Sequence, residues 1–535
     1  MILSEDMRLW VGHDHIVWFV IDVIEGLDAT ALQALGKPGK GRPGYDPRML
    51  AVLLIYAYLQ AERSSRKIEA RCRTDAAFRI ATGNLIPDHS TICRFRAAAA
   101  AEGGPLEDLF TKVLFVLAVA GLGRLDVISV DGSKIWANAS KGANRTEDGL
   151  RRLARRILDE AARADGEDCI CEGHEHGEAA GLDGLEACGC CDAGTLPGLG
   201  LDGPAVPRGG WGGAPRAARI AAGLAELEAA RLAQEQQRRA AAEEYLAAAR
   251  AGQAPAGRAP ADVAVEAAQL RLEQAITARQ AQAAAWEQAA ASGRVPRGRR
   301  PSGDGKAVSK AREQLAAATK SREEAAARAA APAGKKEPRP VRNITDPDSR
   351  VLHCTLRGAV QAYNCQVPRT GDGVFLFPRA VQDANDADQV QAAFEAIARS
   401  RQVIAAGHAA ADRPGLWSRI GTVLFDPGYF SRANIEATGP DRLIGTGAWK
   451  DPGPHSPGCD HDDPRDQMHH NLSTRQGRDL YRRRAPVSEG GFADLKERTG
   501  LRQFAMRGIG KVQGELLLAC AAANIDLLYR RIRLA

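Results

Sequence analysis

The chain has 535 residues, 44% of them hydrophobic and 26% charged, with a formal net charge of +6. That length exceeds a single hydrophobic core and implies several domains, or one domain carrying a large insertion. No run of eighteen apolar residues occurs and the opening residues lack the order of a secretion signal, which argues against a membrane partner and for a cytoplasmic protein.

Residues 1–120 are expected to be all-α. Apolar positions recur at helical spacing over Pro47–Gln60 and Leu106–Leu117, and Pro47 after Asp46 is a helix start. Asp88–Arg96 reads as a cap at Asp88 or Ser90 followed by a short helix carrying Arg94 and Arg96. Those arginines either meet DNA phosphates in a helix-turn-helix-like contact or decorate a packing helix. Leu125–Val130 then suits a buried strand, closed by Asp131 and followed by Gly132, Ser133 and Lys134. A carboxylate at the carboxyl end of a strand projects into the crevice where open sheets place ligands, although Asp-Gly is also ordinary turn chemistry.

From about 145 to 342 the composition shifts to Ala, Gln, Glu and Arg, and Pro215–Arg250, Ala261–Ala291 and Lys306–Ala331 are strong helix formers. Sparse apolar stripes (Ile220, Leu224, Leu227; Val265, Leu272, Ile276) predict a helical hairpin or short coiled coil. Ahead of them, Cys169, Cys171, His174, His176, Cys188, Cys190 and Cys191 offer more ligands than the four zinc needs, in spacings unlike the usual finger. A zinc site and an acidic loop are both open at this point. Eleven cysteines in a chain without an export signal argue for reduced thiols or metal ligation over a disulfide framework. His455, Cys459, His461, His469 and His470 read as an exposed loop.

Strand-like sequence resumes at Thr355–Val367, Val374–Val381, Thr422–Phe425 and Arg442–Gly445, with a helix at Asp388–Ile404. Asp426 repeats the pattern of Asp131, an acid after an apolar strand, here followed by Pro427-Gly428-Tyr429. Helices are expected over Ser473–Lys496 and Lys511–Arg530, with breaks before Phe492 at Pro486 and Gly490-Gly491. On a helix, Glu489, Phe492 and Lys496 share one face. The whole order fits an α/β domain with a mixed sheet, interrupted once by a large helical insertion.

Five landmarks now stand in order: Asp131-Gly132-Ser133-Lys134, Tyr363-Asn364-Cys365-Gln366, Asn385-Asp386, Asp426-Pro427-Gly428-Tyr429, and the series Tyr481, Arg484, Glu489, Lys496. In these the chain resembles the DDE transposases of bacterial insertion sequences, over about 1–145 and 343–530, and Pro47–Arg96 is similar to their amino-terminal helical domain. The resemblance implies a DNA-binding helical domain at 1–120 and a ribonuclease-H-like catalytic domain split into 121–145 and 343–535. The insertion at 146–342 lies largely outside it.

It also implies Asp131, Asp426 and Glu489 as catalytic metal ligands for two Mg²⁺ or Mn²⁺ ions roughly 4 Å apart, serving both cleavage and strand joining. Lys134, Tyr481, Arg484 and Lys496, with Arg94 and Arg96, are the expected DNA contacts. The implied partners are terminal inverted repeats and target double-stranded DNA, with a homodimer in the DNA complex. Arg484 departs from the family, with four residues between it and Glu489 where the signature has three. Glu515 is a weaker rival to Glu489, read as a charged flank on a packing helix. A nuclease or recombinase of the same fold, or an inactive DNA-binding remnant, are the alternative functions.

Overall fold

Aspartates and prolines start several of the amino-terminal helices. In the computed structural model, which describes residues 6, 9–28, 30–36, 44–101, 103–167, 214–252, 259–292, 300–301, 305–330, 340–354, 358–413, 419–447 and 463–534, seven helices precede the first strand. They are α1 (Ile16–Glu25), α2 (Thr30–Gln33), α3 (Pro47–Leu59), α4 (Ser65–Thr74), α5 (Ala76–Ala81), α6 (His89–Ala99) and α7 (Pro105–Val119). Asp46 caps α3 by accepting from the Arg48 amide, with Pro47 at the first turn, where its missing N–H leaves no bond unmade. Asp88, not Ser90, caps α6, accepting from the Ser90 and Thr91 amides.

The rest of this unit is a mixed sheet. Its strands are β1 (Val127–Trp136), β4 (Arg350–Cys354), β5 (Gly358–Thr370), β6 (Arg379–Val381), β7 (Thr422–Phe425) and β8 (Arg442–Ile444), with the two-residue strands β2 (Asn144–Arg145) and β3 (Arg342–Asn343) flanking the insertion. The order across the sheet is β4-β5-β1-β7-β8, and β6 pairs with β5. β5 runs antiparallel to β1 and β4, whereas β7 and β8 are parallel to β1 and to each other. The strand expected over Thr355–Val367 is β5, which starts at Gly358 with a positive φ of 67° and runs on to Thr370, while β4 precedes it as a separate antiparallel strand.

The insertion has α8 (Glu147–Glu167), α9 (Ala214–Arg250), α10 (Ala264–Ala291) and α11 (Lys306–Ala330). Contacts divide the chain into one unit of 1–144 with 342–535 and a second of 145–341. Within the second, α10 packs on both α9 and α11. Ile220, Leu224 and Leu227 are buried as their spacing predicts, yet α10 buries fully only Ala267 and Ala268. Alanine removes little apolar area from water, so this interface is thin.

The carboxyl-terminal part supplies α12 (Val390–Ala410), α13 (Arg432–Glu436), α14 (Pro464–Ser473), α15 (Arg475–Tyr481), α16 (Arg484–Ala493) and α17 (Ile509–Leu534). By length and composition α17 could cross a membrane, but its apolar surface is buried against α3 and α7 in the core. α3 is likewise buried on every side from Leu50 to Tyr58, as an all-round apolar helix must be. One hydrophobic core runs continuously from these helices to the sheet. Residues 1–120 therefore form no unit apart: their apolar faces are completed by the sheet and by α17.

Candidate active site

β1 does not stop at Asp131. It continues to Trp136 on the β5 side, while the parallel neighbour β7 ends at Phe425, opposite Val130. Asp131 thus lies level with Asp426, the first residue beyond β7, at the point where the sheet opens. Asp426 caps the short turn Pro427–Tyr429 by accepting from the Gly428 amide at 2.8 Å. Burial, then the charge of Asp426, push the Asp131 carboxyl up to about 6. Asp426 is raised chiefly by burial, with Asp386 adding to it and Arg484 and Lys134 opposing it.

α16 lies over this strand. Ser129, Asp131 and Ser133 project from one face of β1 because side chains alternate. Ser488 meets the Ser129 hydroxyl at 2.5 Å, and Arg484 reaches Asp131 with Nη1 3.7 Å from Oδ2. The helix then passes into a π turn at Asp494–Arg498, closed by the Thr499 amide on the Asp494 carbonyl, and Lys496 in that turn donates to Ser133 Oγ at 2.8 Å. Pro486 does not break α16, because it falls in the first turn, where its missing donor costs nothing. The break falls earlier, at Arg482-Arg483, between α15 and α16. The Tyr481 hydroxyl donates to the Phe425 carbonyl at 3.1 Å, and a side chain on Gly445 would occupy its place. Arg484 sits 5.9 Å over the Tyr481 ring.

On the opposite face of β1 stands Asp386, named in the sequence only as a landmark. Asn364 and Gln366 of β5 donate to its Oδ1 at 2.8 and 2.6 Å, and buried Tyr429 donates to Gln366 Oε1. A Cβ on Gly132 would collide with that same Oδ1, so this glycine leaves the notch the carboxylate fills. The landmarks Asn364, Gln366, Asp386 and Tyr429 are thus one hydrogen-bonded chain behind the two aspartates.

Comparison with known families bears on this arrangement at both ends of the chain. Residues 5–98 match the family described as "Transposase domain (DUF772)", and residues 459–529 match the "Transposase DDE domain". Transposase families thus match at both ends of the chain, which supports an insertion-sequence DDE transposase. No curated protein and no solved structure matches it.

The other expected site residues fall as follows. Lys134 is half-buried with its charge acting on Asp426. Glu489 is exposed on α16, next to Ser488. Its carboxylate does not converge on the aspartates: among the described residues no three His, Cys, Asp or Glu side chains form a ready metal cluster. Glu515 is no charged flank. It is fully buried, paired with Arg63 at 3.0 Å, and accepts from the Ala505 and Met506 amides.

Arg94 is exposed on α6, but Arg96 is only 4% exposed and donates to the Arg63 carbonyl at 2.7 Å. Arg96 is therefore corrected from a DNA contact to a packing residue, since a buried guanidinium tied to backbone cannot reach a phosphate. Cys169, Cys171, His174, His176, Cys188, Cys190 and Cys191 lie outside the described residues, as do His455, Cys459 and His461. The five described cysteines, Cys72, Cys93, Cys354, Cys365 and Cys520, are all free thiols.

DDE transposases use divalent metals. The Asp131 and Asp426 pair fits such an ion chemically: two neighbouring, largely buried carboxylates resist ionisation, and the Arg484 guanidinium at 3.7 Å only partly offsets them. A divalent cation would supply the charge this pair lacks.

Proposed function

We propose that this transposase cleaves DNA at the terminal inverted repeats of an insertion sequence and joins the freed ends to target DNA. The observation that carries the reading is the Asp131 and Asp426 pair, set side by side where β7 ends beside β1. The strand order β4-β5-β1-β7-β8, three antiparallel strands followed by two parallel ones, supports a ribonuclease-H-like core.

Asp131 and Asp426 would hold divalent ions, with Glu489 as the third family carboxylate on the exposed edge of α16. When bound, Mg²⁺ or Mn²⁺ would supply positive charge that stabilises the phosphoryl transfer. A water attacks phosphorus and the 3′-oxygen departs in cleavage; in joining, the freed 3′-hydroxyl attacks a target phosphodiester and the target strand's 3′-oxygen departs. Arg484, between Tyr481 and Asp131, exchanges its carboxylate contact for a phosphate, and Lys134 and Lys496 bind neighbouring phosphates. Arg94 contributes from α6. The DNA complex in this reading holds two copies of the chain.

The test is a strand-transfer assay with a labelled terminal repeat. Wild type cuts and joins, whereas Asp131→Asn and Asp426→Asn do neither while still binding the repeat. Cleavage without joining would make the chain a nuclease of the same fold, and cleavage by either variant at the wild-type rate overturns the site.

A further inference from the structure

Arg369 lies on β5 directly across from Ser129 of β1, so the two side chains share the sheet face that α16 covers. α16 rests on both with adjacent residues. Ser488 meets the Ser129 hydroxyl, and Arg369 Nη1 donates to the Val487 carbonyl at 3.1 Å. Two further donors of the same guanidinium are also engaged: Nη2 donates to Asp494 Oδ2 at 2.7 Å, and Nε to the Gly373 carbonyl at 3.1 Å, in the turn after β5. The group stands 4.9 Å over the ring of fully buried Phe375, and the side chain is only 12% exposed.

One planar fork thus ties the sheet to α16 before Glu489, at Val487, and to the first residue of the π turn after it, at Asp494. The glycine pair between those two anchors is explained by the same contact. A Cβ on Gly491 would lie 3.0 Å from Arg369 Cδ and 3.3 Å from Phe375 Cε1, and one on Gly490 would lie 3.1 Å from Arg369 Nη1. Glycine is a poor helix former, but two in succession let the helix backbone settle onto the arginine. Arg498 also pairs with Asp494, through Oδ1 at 3.0 Å.

We propose that Arg369 is a positioning residue of the cleavage reaction: by seating α16 and the π turn on the sheet, it sets where Arg484, Glu489 and Lys496 stand over β1. The inference rests on the reading that these residues act on DNA at the Asp131 and Asp426 pair, and it adds a residue that lies outside the family signature. The bonds of Arg369 go to Val487, Gly373 and Asp494, so it works through the helix and not on the phosphate. A displacement of about 1 Å, even by a change far from the reacting atoms, slows a reaction on the order of 100-fold.

The experiment measures three quantities on the full chain: the single-turnover cleavage rate at saturating labelled terminal repeat, the Kd for that repeat, and the melting temperature. Arg369→Met removes all three bonds and leaves Asp494 its pairing with Arg498. It should cut about 100-fold more slowly with Kd unchanged. Gly491→Ala disturbs the same seat from the helix side. It should slow cleavage while the melting temperature holds or rises, because alanine is the better helix former, a combination that loss of folding does not produce. The double variant should be no slower than Arg369→Met, since both changes break one seat.

A folded Arg369→Met that cuts at the wild-type rate, single effects that multiply in the double variant, or a loss carried by Kd with the saturated rate unchanged overturns the inference and leaves the site reading standing. Should Arg369→Met fail to fold, Gly491→Ala decides, and cleavage by it at the wild-type rate overturns the inference. If wild type cuts no repeat, or Asp131→Asn cuts as wild type does, the site reading falls and takes the inference with it.

Discussion

Replacing Asp131 by Asn removes a charge that the folded protein accommodates poorly. The folded carboxyl holds its proton up to about pH 6 against an ordinary value of 3.8, because it is buried next to Asp426. Between those values the native state binds more protons than the unfolded chain, so stability falls as pH rises through this window and stays lowered above it. A shift of that size corresponds to a penalty on the order of 3 kcal/mol at neutral pH. Asn carries no such charge and keeps the side chain's shape.

The metal-free Asp131→Asn variant is therefore expected to melt several degrees above wild type at pH 7.5 and together with it near pH 4. Saturating Mg²⁺ should narrow or reverse the gap, since only wild type gains from binding. The assay is thermal unfolding in chelator across pH 4–8, repeated with Mg²⁺. A variant less stable than wild type at pH 7.5 in chelator, or a gap independent of pH, would refute the reasoning that this pair is held together against its own repulsion.

Glu515→Ala should cost about 3–5 kcal/mol in urea unfolding, because it removes a buried carboxylate and leaves half-buried Arg63 and two amides without their partner; a loss under about 1 kcal/mol would show that the pair is not structural. Glu489→Gln, at an exposed position, should move stability by less than about 0.5 kcal/mol and abolish cleavage, and an active variant removes Glu489 from the site. Arg94→Ala should weaken binding to all DNA sequences and lower the salt slope by about 1, whereas Arg96→Ala should lower the melting temperature instead, the reverse pattern contradicting the assignment of Arg96 to packing. Tyr429→Phe leaves the Gln366 oxygen buried without its donor and should cost about 1–3 kcal/mol, a neutral result meaning that this hydrogen bond is not formed in solution.

The sequence by itself determined the elements whose cause is local. Asp46-Pro47 and Asp88 start helices through their own side chains, the periodicity of Pro47–Gln60 gives α3, and the Ala-rich runs give α9 to α11 because helix propensity needs no partner. The two acids after apolar strands, Asp131 and Asp426, were legible for the same reason, as was the transposase family.

Only the tertiary structure decided what depends on neighbours far along the chain. Register across β1 and β7 set Asp131 beside Asp426 from positions nearly three hundred residues apart. Burial turned Arg96 and Glu515, indistinguishable in sequence from surface charges, into interior hydrogen-bonding groups. Asp386 was a landmark without a role until folding brought it into the notch at Gly132. A charged residue's identity is fixed by the sequence, but whether it meets water, a metal or another charge is fixed by the elements that pack around it.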